Sequence, residues 1–225
     1  MTPVLLLVHG WGFDATFWKP LRAALPDMET VAWDLGFTGC PARPALPEGR
    51  PVVAVGHSFG FLWLLMEQPV TWRHLVAING FPRFAQGDDW PAGVPIRVIE
   101  RMIARFAGAP EAVHADFMTR AGLSATDLAA TAGSLDRPRL DEGLKGLRHW
   151  DGRGRMAGPV SLALAGRSDV IAPPALSEAG FARSPLAWHE GGHLLPWHAP
   201  DWCAGHLRRL CRNEEGVVPV VPDEE

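Results

Sequence analysis

The chain of 225 residues has no tyrosine, only three cysteines and no excess of positive charge. Each shortage removes a class of protein. Cys203 and Cys211 stand eight apart in a stretch that reads as one helix, so they lie roughly 12 Å apart along its axis. That separation is too large for a disulfide. With Cys40 left over, the expectation is a reduced, cytoplasmic protein. Lysine and arginine number 21 against 25 acidic residues, a net charge of −4, so a nucleic-acid partner is not expected. No apolar run approaches the roughly 20 residues of a membrane span, and no membrane partner is expected either. The opening "MTPVLLLVHGWG" has a short apolar run without a preceding basic region, and no cleaved signal is expected. No internal repeat and no Cys/His cluster at metal-binding spacing is present, so neither a metal nor a cofactor is expected. The ten tryptophans predict a core rich in indole and an apolar pocket.

What is present is an alternation. At 47% hydrophobic content the chain can bury one sizeable core. Short continuous apolar runs at 3–10, 28–36, 50–57, 73–80, 158–169 and 185–192 read as strands buried on both faces. Helical stretches at 15–25, 59–69, 173–181 and 200–211 separate them, with Pro20 predicting a kink or a late start in the first. Strands alternating with helices imply a mostly parallel sheet of about six strands covered on both sides. Between residues 81 and 156 no strand-like run occurs. Amphipathic helices are predicted at 94–107, 110–121 and 139–150. The expected plan is a core of 1–80 and 157–212, a helical lid of 81–156 over the carboxyl end of the sheet, where such folds bind ligands, and a mobile tail of 213–225.

The stretch "VVAVGHSFGFLWLL" (52–65) places Ser58 between two glycines where an apolar strand gives way to an apolar helix. A reversal that tight strains the middle residue and needs neighbours without side chains, which Gly56 and Gly60 supply. Ser58 is then held at the tip of the turn, beside N–H groups of a helix start that favour negative charge. A chance G-x-S-x-G in a chain with 24 glycines is the alternative, and the strand-to-helix setting argues against it.

A serine nucleophile needs a base, and the base needs an orienting acid. Asp169 follows the fifth strand and His193 follows the sixth, giving the chain order Ser, Asp, His. His198 is the rival base and Asp34 the rival acid. Asp169 has a second reading as a helix N-cap, although three residues separate it from the prolines that open the next helix. His9, His57, His74 and His189 lie in or beside strands and read as structural. Backbone N–H groups of Phe59 and of Trp11, in the loop "HGWGF" after the first strand, are the expected oxyanion donors.

Four segments in order, "LLLVHGWG", "VGHSFG", "GRSDVIAP" and "GGHLLPWHAP", resemble the α/β-hydrolase family. Within it, "INGFPRFAQGDDWP" and the run L-x-x-G-L-x-x-L-x-x-x-D-x-R from Leu140 to Arg153 resemble the pimeloyl-[acyl-carrier protein] methyl ester esterases of biotin synthesis. The resemblance implies an α/β-hydrolase fold, a serine carboxylesterase acting through an acyl-enzyme, and an acidic acyl carrier protein as the bearer of the acyl ester. The same triad also serves hydrolases of small esters, thioesters or carbon–carbon bonds, and a non-catalytic binding module is a further reading. The sequence departs from the family where D-x-P-G-x-G-x-S reads "DLGFTGCP" (34–41), and it lacks the edge strands common before the oxyanion loop.

The charge is unevenly spread. Residues 81–156 carry eleven basic against ten acidic side chains, and the remainder ten against fifteen. Arg97, Arg101 and Arg105 repeat every four residues along one helical face. Such a stripe reads either as a solvated face or as a docking surface for an acidic carrier, with Arg148, Arg153 and Arg155 as further candidates.

Overall fold

The apolar run Val4–Val8 forms the first strand, β1, with all five side chains buried. The computed structural model describes residues 2–124, 126–127, 134–158 and 160–212; the tail expected at 213–225 lies outside them. The remaining strands are β2 (Thr30–Trp33), β3 (Val52–His57), β4 (His74–Ile78), β5 (Leu162–Gly166) and β6 (Leu186–His189). They form one six-stranded sheet in the order β2-β1-β3-β4-β5-β6, and every pairing is parallel.

Alternation along β1 explains why the strand sequences are apolar throughout. Leu6 and Val8 point to one side, and Leu5 and Leu7 to the other, each side packing into its own cluster. The first side is covered by α2 (Phe59–Glu67) and α6 (Pro174–Gly180). The second is covered by α1 (Lys19–Ala23) and α8 (Pro200–Cys211). The stretch predicted as one helix at 15–25 divides: Ala15–Trp18 is a 3₁₀ turn, and Pro20 stands in the first turn of α1, where its missing N–H costs nothing. A short helix α7 (Leu195–His198) precedes α8.

Between β4 and β5 the chain forms α3 (Ile96–Gly108), α4 (Pro110–Ala121) and α5 (Arg137–His149). In α3, Ile99 and Phe106 are buried two turns apart while Arg97, Arg101 and Arg105 are exposed. In α5 the inward stripe is Leu140, Gly143, Leu144 and Leu147, and the Asp136 side chain caps the helix by accepting from the Arg139 N–H at 3.0 Å. The Gly152 N–H donates to the Pro82 carbonyl at 2.7 Å, which closes the insertion back on its own beginning.

Register decides where the loops meet. Val8 lies opposite Gly56, His57 opposite Ile78, and Gly166 opposite His189. The segments leaving β1, β3, β4, β5 and β6 therefore emerge side by side at one edge of the sheet.

Candidate active site

Ser58 follows β3 at φ 52° and ψ −124°, one of three non-glycine residues with positive φ among those described. The geometry excludes side chains on both flanks. A Cβ on Gly56 would stand 2.3 Å from Phe61 Cα, and one on Gly60 would stand 2.3 Å from the Val8 carbonyl oxygen. Strain at Ser58 persists because packing fixes the turn from both sides.

Three side chains that are distant in sequence meet here. His193 Nε2 lies 2.9 Å from Ser58 Oγ, and His193 Nδ1 lies 2.8 Å from Asp169 Oδ2. All three residues are buried. A carboxylate only accepts, so the imidazole proton sits on Nδ1 and the bare Nε2 faces the serine hydroxyl. Asp169 Oδ1 accepts from the Ile171 and Ala172 N–H groups at 2.8 Å each. The carboxylate thereby organises its own loop, and α6 begins after Pro173 without any side-chain cap.

The rivals stand elsewhere. His198 is exposed at the end of α7. Asp34 accepts from the Ala15 and Gly36 N–H groups and lies beside His9, not beside His193. His9 Nε2 accepts from the Leu35 N–H at 3.0 Å, which makes it a brace between the loops after β1 and β2.

One residue beside Ser58, His193 and Asp169 went unrecognised in the sequence. Asn79, directly after β4, is buried and adopts φ 46°. Its Nδ2 donates to Asp169 Oδ2 at 2.6 Å. Its amide orientation follows from chemistry, because the reversed amide would set a carbonyl oxygen against a carboxylate. An Asn closing an apolar strand was the available signal, since Asn tolerates this backbone region better than most residues. His57, read as structural, has such a role. Its Nε2 donates to the His193 carbonyl at 2.9 Å, and its ring stacks on Phe17. Burial, with the neighbouring His193 adding to it, pushes its pKa well below the ordinary 6.5, so it acts as a neutral strut.

Trp11 and Phe59 flank the serine. Phe59 is the first residue of α2, where N–H groups lack intrahelical acceptors. A Cβ on Gly10 would stand 3.1 Å from Ser58 Cβ, so the loop after β1 passes against Ser58. The segment 34–41, where the family pattern is broken, supplies Phe37. That ring packs edge-on to His9 and Phe59, and its carbonyl accepts from the Asp136 N–H at 2.9 Å.

A cavity of about 520 Å³ reaches Ser58 and is lined by Trp11, Phe81, Met102, Phe117 and Leu144 among others. Arg101, Arg105 and Arg120 stand on its wall, as do Val98 and Val170, the exposed large apolar side chains among the described residues. A larger depression of about 620 Å³ lies at the opposite edge of the sheet, lined by Gln68, Trp72, Arg73 and Arg155. It contains none of Ser58, Asp169 and His193. The predicted arginines thus separate. Arg101 and Arg105 reach the cavity, Arg105 also pairing with Asp116 at 2.9 Å. Arg97 is exposed in the first turn of α3. Arg148 pairs with Glu100, and Arg153 is held by Asp89 and Asp151 over the Trp90 ring. Arg155 donates to the Met66 carbonyl.

The sequence is 30% identical over 243 aligned positions to a pimeloyl-[acyl-carrier protein] methyl ester esterase of Xanthomonas campestris pv. campestris (strain B100), covering 92% of this chain and 94% of that protein. It is 29% identical to the protein of the same name in Stenotrophomonas maltophilia (strain K279a), covering 85% of this chain and 86% of that one. Among solved structures, the esterase EaEST from Exiguobacterium antarcticum superposes with a TM-score of 0.77 at 17% identity, covering 93% of this chain and 92% of the other. At that identity the likeness is one of fold, and the fold is that of the α/β hydrolases. No family model matches the sequence.

Proposed function

Since this chain belongs to the pimeloyl-[acyl-carrier protein] methyl ester esterase family and is a carboxylic ester hydrolase, we propose that it hydrolyses the methyl ester of a pimeloyl chain borne by an acyl carrier protein, through an acyl-enzyme on Ser58, in biotin synthesis. The observation that carries this reading is the contact chain Ser58–His193–Asp169 at the end of an apolar cavity.

The geometry supports the following chemistry. Ser58 Oγ attacks the ester carbonyl as His193 Nε2 takes its proton. Asp169, accepting from Nδ1–H, stabilises the imidazolium. The oxyanion forms next to the Trp11 and Phe59 N–H groups. Methanol leaves with the proton from His193. Water, deprotonated by the same nitrogen, then cleaves the acyl-enzyme, releasing the carboxylic acid and restoring Ser58.

The cavity mouth supports a carrier-borne substrate. Exposed Val98 and Val170 beside Arg101, Arg105 and Arg120 offer an apolar contact rimmed by cations, which suits an acidic partner. On this reading residues 81–156 act as a lid over the core formed by 1–80 and 157–212. The three free cysteines fit a reducing cytoplasm. Among the described residues no helix is long and apolar enough to cross a membrane.

A panel of methyl esters, free and carrier-linked, at several acyl lengths tests the proposal. Highest kcat/KM on the carrier-linked pimeloyl ester is the expected result. Equal rates on free short esters would favour a small-ester hydrolase. A non-catalytic module would show no turnover at all, and no labelling of Ser58 by a fluorophosphonate.

A further inference from the structure

We propose that His114 is a positioning residue for the oxyanion-hole N–H of Trp11, so that the helical insertion itself holds the groups that stabilise the transition state. The inference rests on the oxyanion role given to Trp11 above. The loop after β1 is anchored to the insertion at two consecutive residues. Trp11 Nε1 donates to the Leu140 carbonyl of α5 at 2.8 Å. His114, on α4, donates from Nε2 to the Gly12 carbonyl at 2.8 Å. A carbonyl only accepts, so the His114 proton sits on Nε2, and burial pushes the pKa of this ring down, which keeps it neutral.

These bonds act on both sides of the Trp11 Cα. The first fixes the indole, and the second fixes the Gly12–Phe13 peptide, one residue further along the loop. Together they limit the displacement of the Trp11–Gly12 segment that would carry the Trp11 N–H away from Ser58. Ring packing reinforces the hold, because the indole meets Phe117 of α4 edge-on at 4.9 Å and Phe106 of α3 at 6.2 Å. The fit is close on the α5 side as well: a Cβ on Gly143 would stand 2.6 Å from Trp11 Cδ1. The second donor residue is seated in the same way, with the Phe59 ring stacked on Trp150 at 5.5 Å, just past α5. The oxyanion donors are therefore placed by the core but steadied by the insertion. Oxyanion stabilisation depends on donors aimed before the charge develops, so a loosened loop costs turnover more than ground-state binding.

The test uses the full chain and a small neutral methyl ester. His114→Ala is expected to lower kcat by about 10-fold with KM within about 2-fold. The affinity for an alkyl boronic acid, which forms a tetrahedral adduct on Ser58, should fall by a similar factor. His114→Gln, whose amide can donate to the same carbonyl, should recover most of both losses. Gly143→Ala displaces the indole without touching His114 and should show the same kcat-selective loss; it decides the question if His114→Ala does not fold. A rise in KM with kcat preserved, or an unchanged boronic acid affinity, would overturn the proposal by making His114 merely a packing residue. Absence of fluorophosphonate labelling at Ser58 in the unmodified chain would instead overturn the acyl-enzyme reading, and this proposal with it.

Discussion

Asn79 Nδ2 stands 2.6 Å from Asp169 Oδ2, the same carboxylate oxygen that faces His193 Nδ1 at 2.8 Å. Asp169 is thus shared between an imidazole and an amide on a neighbouring strand end. Asn79→Gly keeps the tolerated backbone angle but removes the donor, which leaves the Asp169 charge undivided for the imidazole. The imidazolium formed during turnover is then stabilised too strongly. The rising limb of the kcat/KM–pH profile is expected to move to higher pH, with turnover at neutral pH reduced by about 10-fold or more. An unmoved profile would mean that Asn79 only fills space.

The triad makes a sharper set of expectations. Ser58→Ala should lower ester hydrolysis on the order of 10⁴-fold or more while the circular dichroism spectrum is retained. His193→Ala should match it. Asp169→Asn should also be strongly impaired, since an amide there can present a donor to Nδ1 and favour the wrong tautomer. His198→Ala should cost little, because that ring is exposed at the end of α7. A Ser58→Ala enzyme retaining a tenth of the activity would end the acyl-enzyme reading.

Carrier recognition is tested at the cavity mouth. Reversal of Arg101, Arg105 and Arg120 to Glu should lower the ratio of kcat/KM on a carrier-linked methyl ester to that on a small neutral ester. Rim charges are worth about 0.5–1 kcal/mol each, so the combined effect is about 10- to 100-fold. Added salt should shrink the same ratio in the unmodified enzyme. Arg155→Glu, at the opposite edge of the sheet, is the matched control and should leave the ratio in place. Equal ratios for both variants would make the arginines at the mouth a solvated face.

Stability should fall on acidification through buried histidines. The folded-state pKa of His57 lies well below its ordinary 6.5, so below that pH the unfolded chain binds the proton more readily. Its contribution is complete above pH 6.5 and is lost as the pH falls, with a slope of up to about 1.4 kcal/mol per pH unit. His114 and His74 are shifted down by burial, and His206 is pushed down to about 4, all acting in the same direction. Calorimetric Tm values between pH 7.5 and 5 should therefore decline. His57→Gln, which keeps a donor for the His193 carbonyl, should flatten the decline; an equally steep one would place the destabilising proton on another residue.

The sequence by itself determined what depends on neighbours along the chain. An apolar strand running into Gly-His-Ser-Phe-Gly and a buried helix specifies a sharp turn, because only glycines fit where Phe61 Cα and the Val8 carbonyl come within 2.3 Å of a would-be Cβ. The continuous apolar strands specified a sheet covered on both sides. The positions of Asp169 and His193 after successive strands followed from the same alternation, since parallel strands deliver their loops to one edge. The helical periods at 94–107, 110–121 and 139–150 were equally plain, and the helices form at 96–108, 110–121 and 137–149.

Only the tertiary structure decided the contacts that span the chain. Asn79 reaches Asp169 across 90 residues, His114 reaches Gly12 across 102, and His57 reaches His193 across 136. Nothing local distinguishes these polar side chains from any other Asn or His beside an apolar run. The arginines make the same point. A period of four puts Arg97, Arg101 and Arg105 on one face of α3, but the packing of α3 against α4 and α5 determines which of them reach the cavity. It also takes folding to bring Asp89 and Asp151 together around Arg153. Helical and strand periods follow from backbone geometry within a few residues. Which polar groups meet depends on how whole layers pack, and that is decided by the burial of the entire core.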